Sequence, residues 1–390
     1  MSLAEVQFQP AAQRRLQTAL RGARTPHAYV FHGPEGVGKE MLAGAFAGLL
    51  LCSAPVERPG PAQASEGGFC APGETYLDAC ADCEDCRLMS TGNHPDFHPI
   101  YRELVQYHSD AEVRRRSKGL VLSVEVVREF LIEAAGIRPN RGRAKVFVVR
   151  EAERMSPSAQ NALLKTLEEP PPDTYLILVT SSVERLLPTT RSRCQLVPFG
   201  PLPLAFVRRC LLAAEQDLGE AEAHFLAAIS EGRLGPALAA AAEGLHQIKK
   251  PLLDQTAALQ PGQALAWAKE IAEAGKVLAD NMSERRTEAS DADLKRRALG
   301  MLLSAIAYAF DDALRVHLGS GEASAHADQV DLVRRMAGRL DAERAAAAVG
   351  HIASAETNLN RNVNVSLSLE GLAAELIGLM SPPAAASRSR

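Results

Sequence analysis

The octapeptide Gly33-Pro34-Glu35-Gly36-Val37-Gly38-Lys39-Glu40 constrains this chain more than any other stretch. It follows the spacing G-x-x-x-x-G-K-[ST], in which glycines let backbone N–H groups close around phosphates. The lysine reaches the β- and γ-phosphates, and a hydroxyl holds Mg²⁺. Gly33, Gly38 and Lys39 fit the pattern and Gly36 adds a third glycine, but Glu40 stands where the hydroxyl belongs. A carboxylate there can meet a metal ion but is repelled by phosphate. The loop is therefore read as a nucleotide-binding fold with a degenerate catalytic centre. Its flanks agree. Ala28–His32 is a short apolar run of the buried-strand type. After Lys39, the apolar residues Met41, Leu42, Ala45, Phe46, Leu49 and Leu50 recur at helical spacing.

Strand and helix patterns alternate beyond the loop. Strands are expected at 96–101, 145–149, 175–180 and 194–199, and helices at 7–24, 123–135 and 158–169. The last helix carries its own start and stop, with Ser156 as N-cap, Pro157 at the first turn and Pro170-Pro171-Pro172 at the end. Such alternation implies an α/β domain with a parallel sheet covered on both faces. Residues 53–65 read as a loop and 102–119 as an exposed insertion or a helix end. After Gly200-Pro201-Leu202-Pro203 only helical patterns remain. The expected division is an α/β P-loop domain over 1–200, a small helical domain over 201–248, a second all-helical domain over 249–380 and a disordered tail over 381–390.

The strand at 145–149 runs into Arg150-Glu151-Ala152-Glu153. In P-loop ATPases this strand ends in Asp-Glu, the Asp orienting Mg²⁺ and the Glu polarising the attacking water. Arg150 takes the Asp position, and a guanidinium cannot ligate a metal; Glu151 remains. With Glu40, both usual protein contacts to Mg²⁺ are gone, so hydrolysis by this chain is not expected and ATP or ADP binding is in doubt.

A second signal is Cys80-x-x-Cys83-x-x-Cys86 with Cys70 upstream. Four thiolates on tight turns suit tetrahedral Zn²⁺ in a structural role. His94 and His98 are the alternatives to Cys70, and Cys52, Cys194 and Cys210 are spare. A net charge of −4 disfavours a broad nucleic-acid-binding face, and Arg114-Arg115-Arg116 with Lys118 reads as a solvated run. The N-terminus lacks a basic-then-apolar leader and no apolar run is long enough for a bilayer, so a cytoplasmic protein without membrane partners is expected.

Several long motifs point to one family. They are His27-Ala28-Tyr29-Val30-Phe31; the run from Asn161 through Leu167-Glu168-Glu169-Pro170-Pro171; Leu186-Leu187-Pro188-Thr189-Thr190-Arg191-Ser192-Arg193-Cys194; and Asn362-Val363-Asn364 followed by Leu369-Glu370. On these the chain resembles the delta-prime subunits of bacterial DNA polymerase III clamp loaders, a branch of the AAA+ ATPases. The resemblance implies a AAA+ domain, a helical lid and an all-helical collar that joins a heteropentamer. It implies that Ser192-Arg193-Cys194 is the family's SRC motif, with Arg193 an arginine finger acting on ATP held by a neighbouring subunit. It places a γ-phosphate sensor at Thr180, with Ser181 and Ser182 as alternatives, and supports a four-cysteine zinc module. An arginine that touches nucleotide in active relatives is missing near Gly235, Arg233 being the nearest. The implied partners are the gamma/tau ATPase subunits and the delta subunit, with the sliding clamp and primed DNA reached through the complex. The alternative is a hydrolysing gamma/tau-like ATPase.

Overall fold

The computed structural model describes residues 2–22, 25–61, 66–116, 121–141, 143–215, 217–283, 291–320, 325–360 and 364–381. Lys118, Gly119, Asn362, Val363 and the expected tail from 382 onward lie outside the described residues. The chain forms two units, Met1–Leu202 and Pro203–Arg390.

The first unit begins with helix α1 (Pro10–Arg21), opened by Pro10. Its Ala12 and Leu16 face inward, but so do Gln13 and Gln17. Gln13 Nε2 donates to the carbonyls of Leu3 (2.6 Å) and Val6 (2.8 Å). Gln17 pairs with both backbone groups of Leu77 at 2.8 Å. Gln17 is tolerated in the interior because both ends of its amide are bonded, whereas Gln13 is held through its Nε2 alone.

Strand β1 (Ala28–His32) leads through the glycine loop into α2 (Lys39–Leu51). Then come β2 (Val56–Pro59), β3 (Thr75–Asp78) and α3 (Glu84–Ser90). Next are β4 (Phe97–Ile100), α4 (Ala111–Arg116) and α5 (Val124–Val127). The unit closes with β5 (Lys145–Val149), α6 (Pro157–Glu168), β6 (Thr174–Thr180), α7 (Pro188–Arg191) and β7 (Gln195–Pro198).

Five of these strands form a parallel sheet in the order β4-β5-β6-β1-β7. The register sets His32 beside Thr180 and Val149 beside Leu178. The ends of β1, β5 and β6 therefore meet at one edge, the carboxyl edge where open α/β sheets hold ligands. β5 is buried at every position, as a central parallel strand must be. Val126, Val127 and Leu131 pack with Leu163 and Leu167 of α6 in the core on one face. Ser156 Oγ accepts from Ala159 N at 3.1 Å, so the expected cap of α6 is formed.

Three local expectations change. The helix expected over 123–135 starts α-helical at α5, widens into π-turns over Arg128–Glu133 and returns to α-helix at 134–135. Residues 53–65, expected as a loop, contain β2, which pairs antiparallel with β3. The expected insertion at 102–119 holds a 3-10 turn, Arg102–Tyr107, and the exposed α4, where Arg116 pairs with Glu112.

The second unit is helical throughout its described residues. Helices α8 (Leu204–Ala214), α9 (Glu220–Ile229) and α10 (Leu234–Ala242) pack on one another. Helix α11 (Leu245–Ala257) touches α9 and α10 on one side and α12 (Ala264–Ser283) and α13 (Asp291–His317) on the other. The remaining helices are α14 (Val330–Arg339), α15 (Ala342–Asn360) and α16 (Val365–Met380), and α12, α13, α15 and α16 form a bundle. α11 runs unbroken through the lid–collar boundary expected at 248, with Pro251 inside it.

A buried ionic cluster holds this unit. Lys249 Nζ lies 2.9 Å from Asp328 Oδ1 and 3.7 Å from the Phe225 ring centroid. His246 Nε2 meets Asp328 Oδ2 at 3.0 Å. Asp312 accepts from the amides of Ala325 (3.0 Å) and His326 (2.9 Å) and meets His326 Nδ1 at 2.8 Å.

Candidate functional site

The glycine loop has the backbone its motif demands. Gly33, Gly36 and Gly38 all take positive φ (145°, 73° and 98°). A Cβ on Gly33 would come within 2.3 Å of the Phe199 carbonyl oxygen, so only glycine fits there. Gln9 fastens the loop from outside, its Nε2 donating to Val37 O at 3.2 Å and to Gly200 O at 2.9 Å. Lys39 is buried, and its ammonium turns back onto the loop, donating to Gly33 O (2.7 Å) and Pro34 O (2.5 Å). Burial pushes the Lys39 pKa down, against the opposing pull of Glu153, Glu35 and Glu40.

Glu40 and Arg150, the two departures from the ATPase pattern, meet each other. Arg150 Nε lies 3.2 Å from Glu40 Oε2, and both side chains are about half exposed. The two positions at which the ATPase pattern expects Mg²⁺ contacts thus pair with each other, and the guanidinium also stands 5.9 Å over the Tyr101 ring. Glu151 is engaged as well. Its carboxylate lies 3.1 Å from Arg102 Nε and accepts from Arg154 Nε at 2.8 Å, with its backbone at φ 46°. Thr180 is buried, and its hydroxyl lies 3.1 Å from both Ser182 O and Ser182 N and is shared with the Glu153 carboxylate.

Glu153 is a residue to which sequence reasoning assigned no role. It accepts from Ser181 Oγ at 2.5 Å. Burial pushes its carboxyl pKa up, but hydrogen bonds from Ser181, its own backbone and Thr180 outweigh this and hold it low. It acts on Lys39 as an opposite charge. Its place just past β5, at the ligand-binding edge of the sheet, was the available signal.

Arg193 stands apart from the loop. Its Nε donates to Glu168 Oε1 at 2.8 Å, its Nη2 pairs with the same oxygen, and its Nη1 donates to Thr189 O at 2.8 Å. The neighbouring Cys194 thiol is pushed up to about 12 by burial.

The cysteine centre forms with one substitution in its membership. Cys52, Cys80, Cys83 and Cys86 bring their sulfurs within 4.8 Å of one another. Cys70, expected as the fourth ligand, is not among them. The reason is the hairpin. Val56 pairs with Asp78 and Pro59 with Thr75, so Cys52 before β2 and Cys80 after β3 leave the same end. Cys70 lies in the connection at the other end, about 13 Å away for a strand of four residues. It sits there against Gly60, near Arg14, Arg21 and Glu74. The alternatives fall away too. His94 faces Asp85 at 3.5 Å, and His98 stacks on Phe147 with centroids 4.8 Å apart.

The geometry fits a metal. Cys52 Sγ is 3.6 Å from Cys80 Sγ and 3.8 Å from Cys83 Sγ, and Cys80 Sγ is 3.9 Å from Cys86 Sγ. Tetrahedral zinc with bonds of about 2.3 Å needs sulfurs ~3.8 Å apart. Backbone N–H groups of Cys80, Cys83 and Cys86 point at the sulfurs of Cys52, Cys80 and Cys83 at 3.3, 3.3 and 3.4 Å. Burial raises the thiol pKa values of Cys52 and Cys86, whereas at Cys83 burial is outweighed by hydrogen bonds from Ser53 and the Cys86 amide, which lower it. Arg58 of β2 holds the turn, donating to Ala79 O (3.1 Å) and Cys80 O (3.3 Å). This cluster can bind a metal ion with four protein ligands. A cavity of about 760 Å³, lined by Glu40, Arg58, Asp78, Met89, Phe97 and Arg150, lies between it and the loop.

The profile of the family described as DNA polymerase III, delta subunit, matches residues 8–203, and the profile of its C-terminal part matches residues 291–377. DNA polymerase III subunit delta' of Pseudomonas aeruginosa is 37% identical over 186 residues, 47% of this chain and 46% of the relative. The chain thus spans about half the length of that relative. Subunit delta' of Escherichia coli is 28% identical over 365 residues, 93% of this chain and 90% of the relative. Subunit gamma/tau of Mycobacterium tuberculosis is 33% identical over 211 residues, 54% of this chain and 30% of the relative. No helix among the described residues is long and apolar enough to cross a membrane. With the first profile covering half of its length and the second most of its C-terminal helices, the chain belongs to the family of DNA polymerase III delta-type subunits, alongside proteins named subunit delta'.

Proposed function

We propose that this chain is the delta'-type subunit of a DNA polymerase III clamp loader, working in the cytoplasm. It does not hydrolyse ATP itself but donates Arg193 to nucleotide bound by a neighbouring gamma/tau-type ATPase subunit. The observation that carries the first half is the Glu40–Arg150 pair at 3.2 Å, which takes both side chains from any Mg²⁺. Without that ion, charge building on a transferred phosphoryl group has no metal to neutralise it. Lys39, folded onto its own loop, supports the same reading.

The second half rests on the resemblance and on the setting of Arg193. An always-charged planar donor suits the oxygens of a phosphoryl group in transfer, and fingers contribute roughly 10³–10⁵ in rate elsewhere. Helices α8 to α10 serve as the lid, and the bundle of α12, α13, α15 and α16 as the collar that contacts the gamma/tau and delta subunits. The sliding clamp and primed DNA are met through the assembled complex. The metal at Cys52, Cys80, Cys83 and Cys86 is Zn²⁺. With all four positions filled by protein, it ties the β2–β3 hairpin to α3 and leaves none open for catalysis.

The test is clamp- and DNA-stimulated ATP turnover in the reconstituted complex. Arg193→Ala is expected to slow turnover while the complex stays assembled, and Lys39→Ala to do little. If Lys39→Ala is the damaging change, this chain is itself a gamma/tau-like ATPase.

A further inference from the structure

The backbone that carries Arg193 is anchored on both sides. Thr190, where the Arg193 amide bonds at 3.3 Å, is fully buried, and Cys194 is held in an apolar setting. The side chain beyond it has several rotatable bonds and one third of its surface exposed. Nothing in the backbone alone would aim it.

Glu168 does. It is the last residue of α6, placed by the Pro170-Pro171 stop, and α6 packs on α7 directly before Arg193. Its Oε1 takes Arg193 Nε at 2.8 Å and pairs with Nη2, while Thr189 O takes Nη1 at 2.8 Å. A contact with Ser192 Oγ at 3.5 Å is too long to hold the group. Of the five N–H donors of a guanidinium, these bonds use one on each nitrogen. That leaves one N–H on each terminal nitrogen without a short partner, donors that phosphoryl oxygens can take.

We infer that Glu168 is a positioning residue for the finger. It fixes the guanidinium through Nε and one side of Nη2, so that Arg193 reaches the neighbour's nucleotide already oriented. The inference rests on the proposed role of Arg193. Glu168 touches neither substrate nor metal. It works by restricting the rotamers of Arg193, and correct aim matters because a misplacement of about 1 Å can cost on the order of 10² in rate.

Steady-state ATP turnover in the reconstituted complex separates the possibilities, with assembly checked by gel filtration. Glu168→Ala is expected to lower kcat by roughly ten-fold with KM for ATP unchanged, since only the aim of the finger is lost. Glu168→Gln keeps an oxygen acceptor at the same place and should recover most of the rate. In an Arg193→Ala background, Glu168→Ala should cost nothing further, whereas a structural role for Glu168 would still cost rate. Glu168→Lys, which repels the guanidinium, gives the same readout should the alanine variant assemble poorly. If Arg193→Ala is slow but Glu168→Ala matches or exceeds the unmodified complex, the inference is overturned and the finger stands. Rate lost on adding Glu168→Ala to Arg193→Ala overturns it as well. If Arg193→Ala leaves turnover unchanged, the finger reading fails and this inference with it.

Discussion

Replacing Cys52 by Ser should strip the metal from this protein, whereas replacing Cys70 should not. Cys52 is fully buried with its sulfur 3.6 and 3.8 Å from those of Cys80 and Cys83, while Cys70 sits beyond the far end of the β2–β3 hairpin. Structural zinc binds small modules with roughly 10–16 kcal/mol at neutral pH. Shared over four thiolates, that is about 2.5–4 kcal/mol for each, or on the order of 10²–10³ in affinity. At a metal concentration above both dissociation constants, the same energy leaves the stability of the folded unit. For a domain the size of Met1–Leu202, at about 2–4 °C per kcal/mol, the melting temperature should fall by about 5–16 °C. The assay is metal per chain after gel filtration, with a competing chelator for affinity and thermal melting with and without EDTA. Chelator should erase the difference between the Cys52→Ser and unmodified proteins. Metal lost from Cys70→Ser and kept by Cys52→Ser would refute the hairpin reasoning, and an unmodified protein that binds no metal would refute the site.

The other expectations concern charge. Lys249→Met strands Asp328 with only His246; breaking a buried pair costs about 3–5 kcal/mol, and partial exposure of Asp328 trims this to roughly 2–4 kcal/mol. Urea unfolding measures it, and a loss under ~1 kcal/mol would mean the cluster is not coupled to folding. Burial lowers the His326 pKa against the pull of Asp312, with Lys249 adding to the lowering. The unfolded chain therefore binds the extra proton, and stability present above about pH 6.5 is lost as the pH falls below it. Asp328 is pulled far below its usual range by His246 and Lys249 despite burial, which adds a second loss below about pH 4. Unfolding at pH 7.5 and pH 5.5 tests the first loss, and His326→Gln should flatten it. Glu40→Thr with Arg150→Asp should make nucleotide binding Mg²⁺-dependent by at least roughly ten-fold. Each single change should do less, because it leaves its partner's charge unpaired. Fluorescent-nucleotide titration with Mg²⁺ or EDTA decides it, and equal binding in both would sink the idea.

What was legible in the sequence was written locally. The glycines before Lys39, the Ser156-Pro157 start of α6 and the apolar runs of β1 and β5 each act within a few residues of themselves, and each formed where expected. The fourth cysteine was not legible, because membership of the cluster depends on a hairpin register between residues about twenty apart. Neither β2 (Val-Glu-Arg-Pro) nor β3 (Thr-Tyr-Leu-Asp) alternates apolar with polar, since their inward positions include Arg58 and Asp78, so nothing local announced the hairpin. The Lys249 cluster was invisible for the same reason at greater range, since α11 and the segment before α14 meet only after the helices pack. Glu40 and Arg150 show the limit most clearly. Each could be read alone as a departure from an ATPase, and two departures at one ion suggested decay. Their contact changes that reading. A carboxylate introduced beside a phosphate loop, or a guanidinium at the end of β5, would each be an uncompensated charge in its old setting. Together they neutralise one another beside a loop that keeps its glycine backbone and its lysine. One substitution here leaves its partner's charge unpaired, and that is why the paired change and not either half is the informative experiment.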